Sequence, residues 1–207
     1  MMFDHAGVSR PHLRMPHVEP GMSVGLFGGS FNPPHDGHLL VAELALRRIG
    51  LDQLWWMVTP GNPLKENAGL PALRTRVAWS EAINDDPRVK VTAFEARYNV
   101  HYTAQTLALV KALNPGVRFV WIMGADNLKG FHRWARWRDI LRTVPVAVVA
   151  RPQDPIRARL SLTARTFSHA RCNDNRAGAL MARGAPGWTY LVEPLHKESS
   201  SRLRGEA

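Results

Sequence analysis

Residues 24–40, Val-Gly-Leu-Phe-Gly-Gly-Ser-Phe-Asn-Pro-Pro-His-Asp-Gly-His-Leu-Leu, constrain the fold of this chain more than any other stretch. Val24–Gly28 is a short apolar run ending in glycine, the pattern of a buried strand. From Gly37 onward Leu39, Leu40, Val41, Leu44, Ala45, Leu46 and Ile49 recur at helical spacing, and Gly50 is a natural stop. A strand that turns through glycine into a helix makes backbone N–H groups converge on one point, where the helix dipole favours an anion. Gly28 and Gly29 carry no Cβ and let a phosphate approach the backbone, while Pro33 and Pro34 stiffen the loop. The spacing fits neither a Walker loop, which needs Gly-Lys-Ser/Thr, nor the three-glycine dinucleotide fingerprint.

His35 and His38 sit at i and i+3 on the first helical turn and so share one face. Either alone reads as an ordinary surface or core histidine. Two of them beside a glycine turn read as phosphate ligands able to carry positive charge. Asp36 lies between them, but a metal site wants further ligands, so the reading here is phosphate and no metal.

The remaining segments alternate between strand and helix patterns, which predicts one α/β domain over 22–207. Residues 1–21 carry three histidines, three prolines and little periodicity, and are expected to form a flexible extension. Leu54–Thr59 reads as a strand whose Trp55 and Trp56 belong to the core. Lys65 then follows in a proline-rich loop, either as a phosphate contact or as a solvated lysine. A helix is predicted over 71–84, with Leu73, Val77, Trp79 and Ile83 facing inward, and a strand over Val89–Phe94. Thr103 fits an N-cap for the next helix, which stops at Asn114-Pro115-Gly116. Val117–Met123 is a continuous apolar run, the pattern of a strand covered on both faces. It delivers Asp126 to the sheet edge, where Asp126 can position a ribose or hydrated metal ion, or simply cap a helix. Val144–Ala150 reads as a strand leading to Arg151, whose guanidinium is suited to phosphate. Residues 153–187 show weak periodicity and suggest one short helix with loops, and a possible homo-oligomer contact. Thr189–Val192 is the last predicted strand, followed by Glu198-Ser199-Ser200-Ser201-Arg202-Leu203-Arg204, hydroxyls and arginine suited to a second anion cradle.

Charge does not settle the function. The formal net charge is +10, yet residues 1–100 carry ten basic and ten acidic side chains. Residues 131–186 hold eleven arginines against three acids and account for most of the excess. A localised basic region suits phosphorylated small molecules, nucleic acid or a solvated insertion. No apolar run approaches the ~20 residues of a membrane span, and the N-terminus lacks a secretory apolar core. With Cys172 as the single cysteine, a disulfide framework within the chain is excluded. The expectation is a cytoplasmic protein without membrane or nucleic-acid partners.

Gly-Gly-Ser-Phe-Asn-Pro-Pro-His-Asp-Gly-His at 28–38 resembles the signature of the nucleotidylyltransferase superfamily, with its His-x-Gly-His element. The wording is similar to that of bacterial nicotinate-nucleotide adenylyltransferases. Tyr102-Thr103-x-x-Thr106-Leu107, Gly124-x-Asp126 with Trp134 eight residues on, and the Ser199–Arg204 element extend the likeness over about 22–204. The departures are mild: Leu64 stands where the family often has His, Ser201 where it has Thr, and Leu203 where it has Ile. The resemblance implies a Rossmann-like, mainly parallel sheet with helices on both faces. It also implies adenylyl transfer from ATP to nicotinate mononucleotide, with Mg²⁺ carried by ATP. His35, His38 and Arg204 would be catalytic. Gly28, Gly29, Ser30, Phe31, Lys65, Ser199, Ser200, Ser201 and Arg204 would hold ATP phosphates. Asn32, Tyr102, Thr103, Asp126, Trp134 and Arg151 would hold the mononucleotide, with Trp134 stacked on the pyridine ring. The alternatives are transfer to nicotinamide mononucleotide or phosphopantetheine, and, in another class, a basic nucleic-acid-binding module.

Overall fold

The run that opens the motif is strand β1 (Ser23–Gly29), and it leads into α1 (Asp36–Ile49). β2 (Gln53–Val58), α2 (Leu73–Ala82), β3 (Val89–Thr92), α3 (Phe94–Tyr98) and α4 (Thr103–Leu113) follow. The chain continues through β4 (Arg118–Gly124), α5 (Ala125–Gly130), α6 (Trp137–Thr143) and β5 (Val146–Ala150). Then come α7 (Leu162–Thr166), β6 (Arg171–Cys172), α8 (Leu180–Arg183) and β7 (Trp188–Val192). The computed structural model describes residues 7–61, 69–150 and 156–192.

Seven strands form one sheet in the order β3-β2-β1-β4-β5-β7-β6, and every pairing is parallel. A parallel sheet needs cover on both faces, and the two-residue period of each strand supplies it. Val24, Leu26, Trp55, Met57, Phe119 and Trp121 enter one apolar layer, with Leu107 and Val110 of α4 and Ile140 and Leu141 of α6. Phe27, Leu54, Trp56, Val58, Val120 and Ile122 enter the other, with Leu44 and Ala45 of α1 and Val77 of α2. Trp55 and Trp56 are thus core, as their sequence context predicts. β1 pairs with β2 on one side and β4 on the other, so strand order reverses there and leaves a crevice beyond its carboxyl end.

Several boundaries differ from expectation for identifiable reasons. β3 ends at Thr92, whose hydroxyl accepts from the Phe94 N–H (3.2 Å) and turns the chain into α3. Trp79 is 38% exposed; Arg76 and Ser80 occupy the buried face of α2 beside Leu73 and Val77. Residues 156–192 hold two short α-helices and an edge strand rather than one helix, each too brief to show a period. Arg48 of α1 pairs with Asp174 and fastens this region to the domain. Three of its surroundings' arginines lie over rings: Arg138 over Trp137, Arg159 over Tyr190 and Arg171 over Trp188.

The described part of the expected flexible extension, 7–21, is hydrogen-bonded to the domain. The Ala93 N–H donates to the His12 carbonyl (2.7 Å), and the Gly21 N–H to that of Gly116 (2.9 Å). His12 donates from Nε2 to Glu81 (2.6 Å) and accepts the Ser9 hydroxyl at Nδ1 (2.6 Å). A segment that satisfies backbone donors beside edge strand β3 gains order that composition alone does not reveal.

Leu44, wholly buried between α1 and the sheet, gives a direct test of the packing. Leu44→Ala is expected to cost about 2–5 kcal/mol, read as a lower urea midpoint at unchanged slope.

Candidate functional site

The junction after β1 is built by packing as much as by backbone freedom. A Cβ on Gly28 would stand 2.8 Å from the Trp121 ring, and one on Gly29 would stand 3.1 Å from the ring of Phe31. Phe31 takes φ 45°, the left-handed region that a bulky residue seldom enters. It is held there by stacking on Trp56 (4.5 Å between centroids) and by an edge contact with Phe27. The result reverses the chain so that α1 starts over the end of its own strand.

His35 is the N-cap of α1, which starts at Asp36, one residue ahead of the predicted Gly37, and the His35 N–H donates to Nδ1 of His38 (3.2 Å). That bond places the neutral ring's proton on Nε2. The two imidazoles lie 3.9 Å apart, and His38 meets Phe31 edge-on at 5.0 Å. His35 is exposed and His38 half-buried, so the pair stands at a wall rather than in the core.

That wall belongs to a cavity of about 350 Å³ over the β1–β4 crevice. Gly28, Gly29, Ser30, Phe31, Asn32, His35 and His38 line it on one side. Tyr102, Thr103, Asp126 and Trp134 line it on the other, so eleven sequence-predicted positions and the β4 residue Trp121 meet in one space. Trp134 presents a half-buried ring supported by Phe131 (4.9 Å) and by the edge of Trp121 (6.2 Å). Tyr102, not Thr103, is the N-cap of α4; the Gln105 side chain accepts its N–H (3.2 Å), and Thr103 is the first helical residue. The first turns of α1 and α4 therefore both open on the cavity, giving it positive potential from backbone alone. Asp126 follows β4 at the start of α5, and a side chain at Gly124 would collide with its carboxylate. Lys65, Arg151, Ser199, Ser200, Ser201 and Arg204 lie outside the described residues. Among the described lining residues the side chains able to carry positive charge are His35, His38 and His101.

Two residues here escaped the sequence reading. Glu95, at the start of α3, lines the cavity although it is buried, and it accepts the Thr106 hydroxyl. Burial raises its carboxyl pKa to about 7, and the Thr106 bond only partly offsets the rise. Arg76 touches the cavity's framework from behind. A glutamate in a Thr-x-x-Glu turn and an arginine on a helix face look like surface residues until the neighbours that bury them are known.

Glu95 sets a testable pH dependence. A carboxyl whose folded pKa stands above its unfolded 4.5 keeps its proton in the native state while the unfolded chain releases one. Stability should therefore fall as pH rises from about 4.5 toward about 7 and level off above, by at most about 3 kcal/mol. Glu95→Gln should remove that slope, measured as unfolding free energy against pH for the two proteins.

Comparison with known proteins agrees with this geometry. The cytidylyltransferase-like family model matches residues 26–206. A protein of Mesorhizobium japonicum named "Probable nicotinate-nucleotide adenylyltransferase" is 58% identical over 190 residues, 92% of this chain and 97% of its own. Its namesake in Rhizobium meliloti is 59% identical over 183 residues, 88% of this chain and 97% of its own. The structure of Plasmodium falciparum nicotinic acid mononucleotide adenylyltransferase complexed with NaAD superposes with a TM-score of 0.62 over 88% of this chain and 82% of that one. At 16% identity, that likeness speaks for the fold. With the glycine turn, the paired histidines and the β1–β4 cavity in the places the fold provides for them, the chain belongs to the cytidylyltransferase-like family, among the nicotinate-nucleotide adenylyltransferases.

Proposed function

We propose that the protein transfers the adenylyl group of ATP to nicotinate mononucleotide, forming nicotinate adenine dinucleotide and pyrophosphate for NAD biosynthesis. The observation that carries this is the single cavity joining the His35–His38 wall to the Thr103–Trp134 wall. A phosphate oxygen of the mononucleotide attacks the α-phosphorus of ATP in line. The bond from that phosphorus to the bridging oxygen breaks, and magnesium pyrophosphate leaves with the electron pair. No protein nucleophile is needed; positioning and charge stabilisation supply the catalysis. Mg²⁺ enters with ATP as part of the substrate.

The residues divide the work along the cavity. The Gly28–Phe31 backbone and the first turn of α1 receive the α-phosphate. His38, with its proton on Nε2, and His35 stabilise the charge that builds on the triphosphate. On the opposite wall the pyridine ring stacks on Trp134, and its carboxylate faces the first turn of α4 at Thr103, where an anion is favoured. Asn32, Tyr102 and Asp126 surround the ribose and its phosphate. We assign Lys65, Ser199, Ser200, Ser201 and Arg204 to the ATP phosphates and Arg151 to the mononucleotide, on the resemblance alone. We also place the enzyme in the cytoplasm. No helix among the described residues is long and apolar enough to cross a membrane, and Cys172 is a buried free thiol.

Pyrophosphate release from ATP, measured side by side with nicotinate and nicotinamide mononucleotides, tests the assignment. Turnover with the acid should exceed that with the amide, and equal rates would count against the anion-favouring α4 turn. His38→Ala should lower kcat on the order of 10²-fold while mononucleotide binding persists. A kcat within twofold of the parent removes His38 from the mechanism. Trp134→Ala should raise KM for the mononucleotide roughly tenfold and leave that for ATP nearly unchanged, since stacking and ring burial are lost on one substrate only.

A further inference from the structure

Arg76 occupies a place where helical spacing calls for an apolar side chain. Leu73, Arg76, Val77 and Ser80 form the buried face of α2, and Arg76 is 1% exposed. Its Nε donates to the Pro71 carbonyl (3.0 Å). Nη1 donates to those of Ser30 and Thr59, each at 2.8 Å, and Nη2 to that of Pro60 (3.3 Å). All four acceptors are neutral. Burial lowers the guanidinium pKa to about 10, which leaves the charge in place at neutral pH. A buried charge with no carboxylate partner among the described residues is costly, and an apolar residue of similar volume would pack here without that cost. Packing alone therefore does not account for an arginine.

The acceptors indicate what the charge does. β1 and β2 remain hydrogen-bonded as far as the Thr59 N–H, which donates to the Gly29 carbonyl (2.9 Å). Beyond that rung the chains part, one into Ser30-Phe31-Asn32 and the other into Thr59-Pro60-Gly61, and both segments line the cavity. One Nη1 binding the Ser30 and Thr59 carbonyls together closes the fork instead. The Ser30–Phe31 peptide is trans, so its N–H points opposite to its carbonyl. Holding the Ser30 carbonyl toward α2 therefore turns the Phe31 N–H away from α2. The same bond braces the residue just before Phe31, whose φ of 45° needs support from its surroundings.

We infer that Arg76 is a positioning residue for phosphoryl chemistry at this site: it fixes the backbone donors after β1 against the loop after β2 without touching substrate. The inference rests on the proposed function for the reaction that it serves.

Arg76→Lys and Arg76→Ala test it, with kcat and KM for ATP and nicotinate mononucleotide expressed per folded enzyme. An ammonium is a point donor and cannot span four carbonyls as the planar fork does. Arg76→Lys should lower kcat by roughly 10–100-fold, the scale of a small misplacement, with both KM values within about threefold of the parent. Millimolar guanidinium should restore turnover to Arg76→Ala, and ammonium should not. A folded Arg76→Lys with kcat within twofold of the parent overturns the inference. So does a loss confined to KM, or one that merely follows the folded fraction. Should Arg76→Ala fail to fold, Arg76→Lys, with folding followed by thermal melting, decides alone. A parent that releases no pyrophosphate with either mononucleotide counts against the substrate assignment and not against Arg76. The two proteins are then compared by amide hydrogen exchange over residues 29–32 and 59–61, where Arg76→Lys must lose protection at least tenfold and equal protection refutes the role.

Discussion

The double pairing of β1 is the constraint from which the rest of the site follows. Its backbone bonds β2 through one edge and β4 through the other, with helices covering both faces. A strand fixed on both edges cannot slide, so the residues that leave its carboxyl end start from a defined point. Because the connections on its two sides run opposite ways, the described residues leave a crevice beyond that end. Gly28 and Gly29 serve this arrangement physically. A Cβ at Gly28 would collide with Trp121, and one at Gly29 would press on the ring of Phe31.

The cavity's electrostatics also follow from the fold. Two helices of 14 and 11 residues begin at its rim, and their unpaired N–H groups make it receptive to anions before any basic side chain is counted. Histidines then add ring N–H donors that suit an anion, with the ring of His38 oriented by one backbone bond and an edge contact to Phe31. Glu95 sits against this anion-receptive space as a buried carboxyl whose proton is retained up to about pH 7. Below that pH the neutral carboxyl sets no negative charge against the cavity.

Much of the fold was legible because parallel strands buried on both faces read as apolar runs, and long helices read as a 3.6-residue period. β1, β2, β4, β5 and β7 and helices α1 and α4 lie within two residues of their expected ends. The short pieces were not legible. α3, α7, α8 and β6 span two to five residues each, less than a pattern needs. Trp79 misled for another reason: its apolarity suggested burial, whereas the inward position of α2 went to Arg76, whose partners are carbonyls from three separate segments. The contacts of residues 7–21 were hidden too, since composition does not encode backbone bonds to Ala93 and Gly116.

The amino-acid sequence by itself determined the chemistry. Glycines, histidines and a tryptophan at fixed spacings identify the family and stand at strand and helix ends, because local pattern sets where each element starts and stops. Only the tertiary structure decided which of these elements face one another. It brought Thr103 and Trp134 across from His38 and set Asp126 at the rim. It buried Glu95 until its proton was retained and recruited Arg76 to close the fork between two strands. Burial and long-range contact depend on residues tens of positions apart, and no local pattern carries that information.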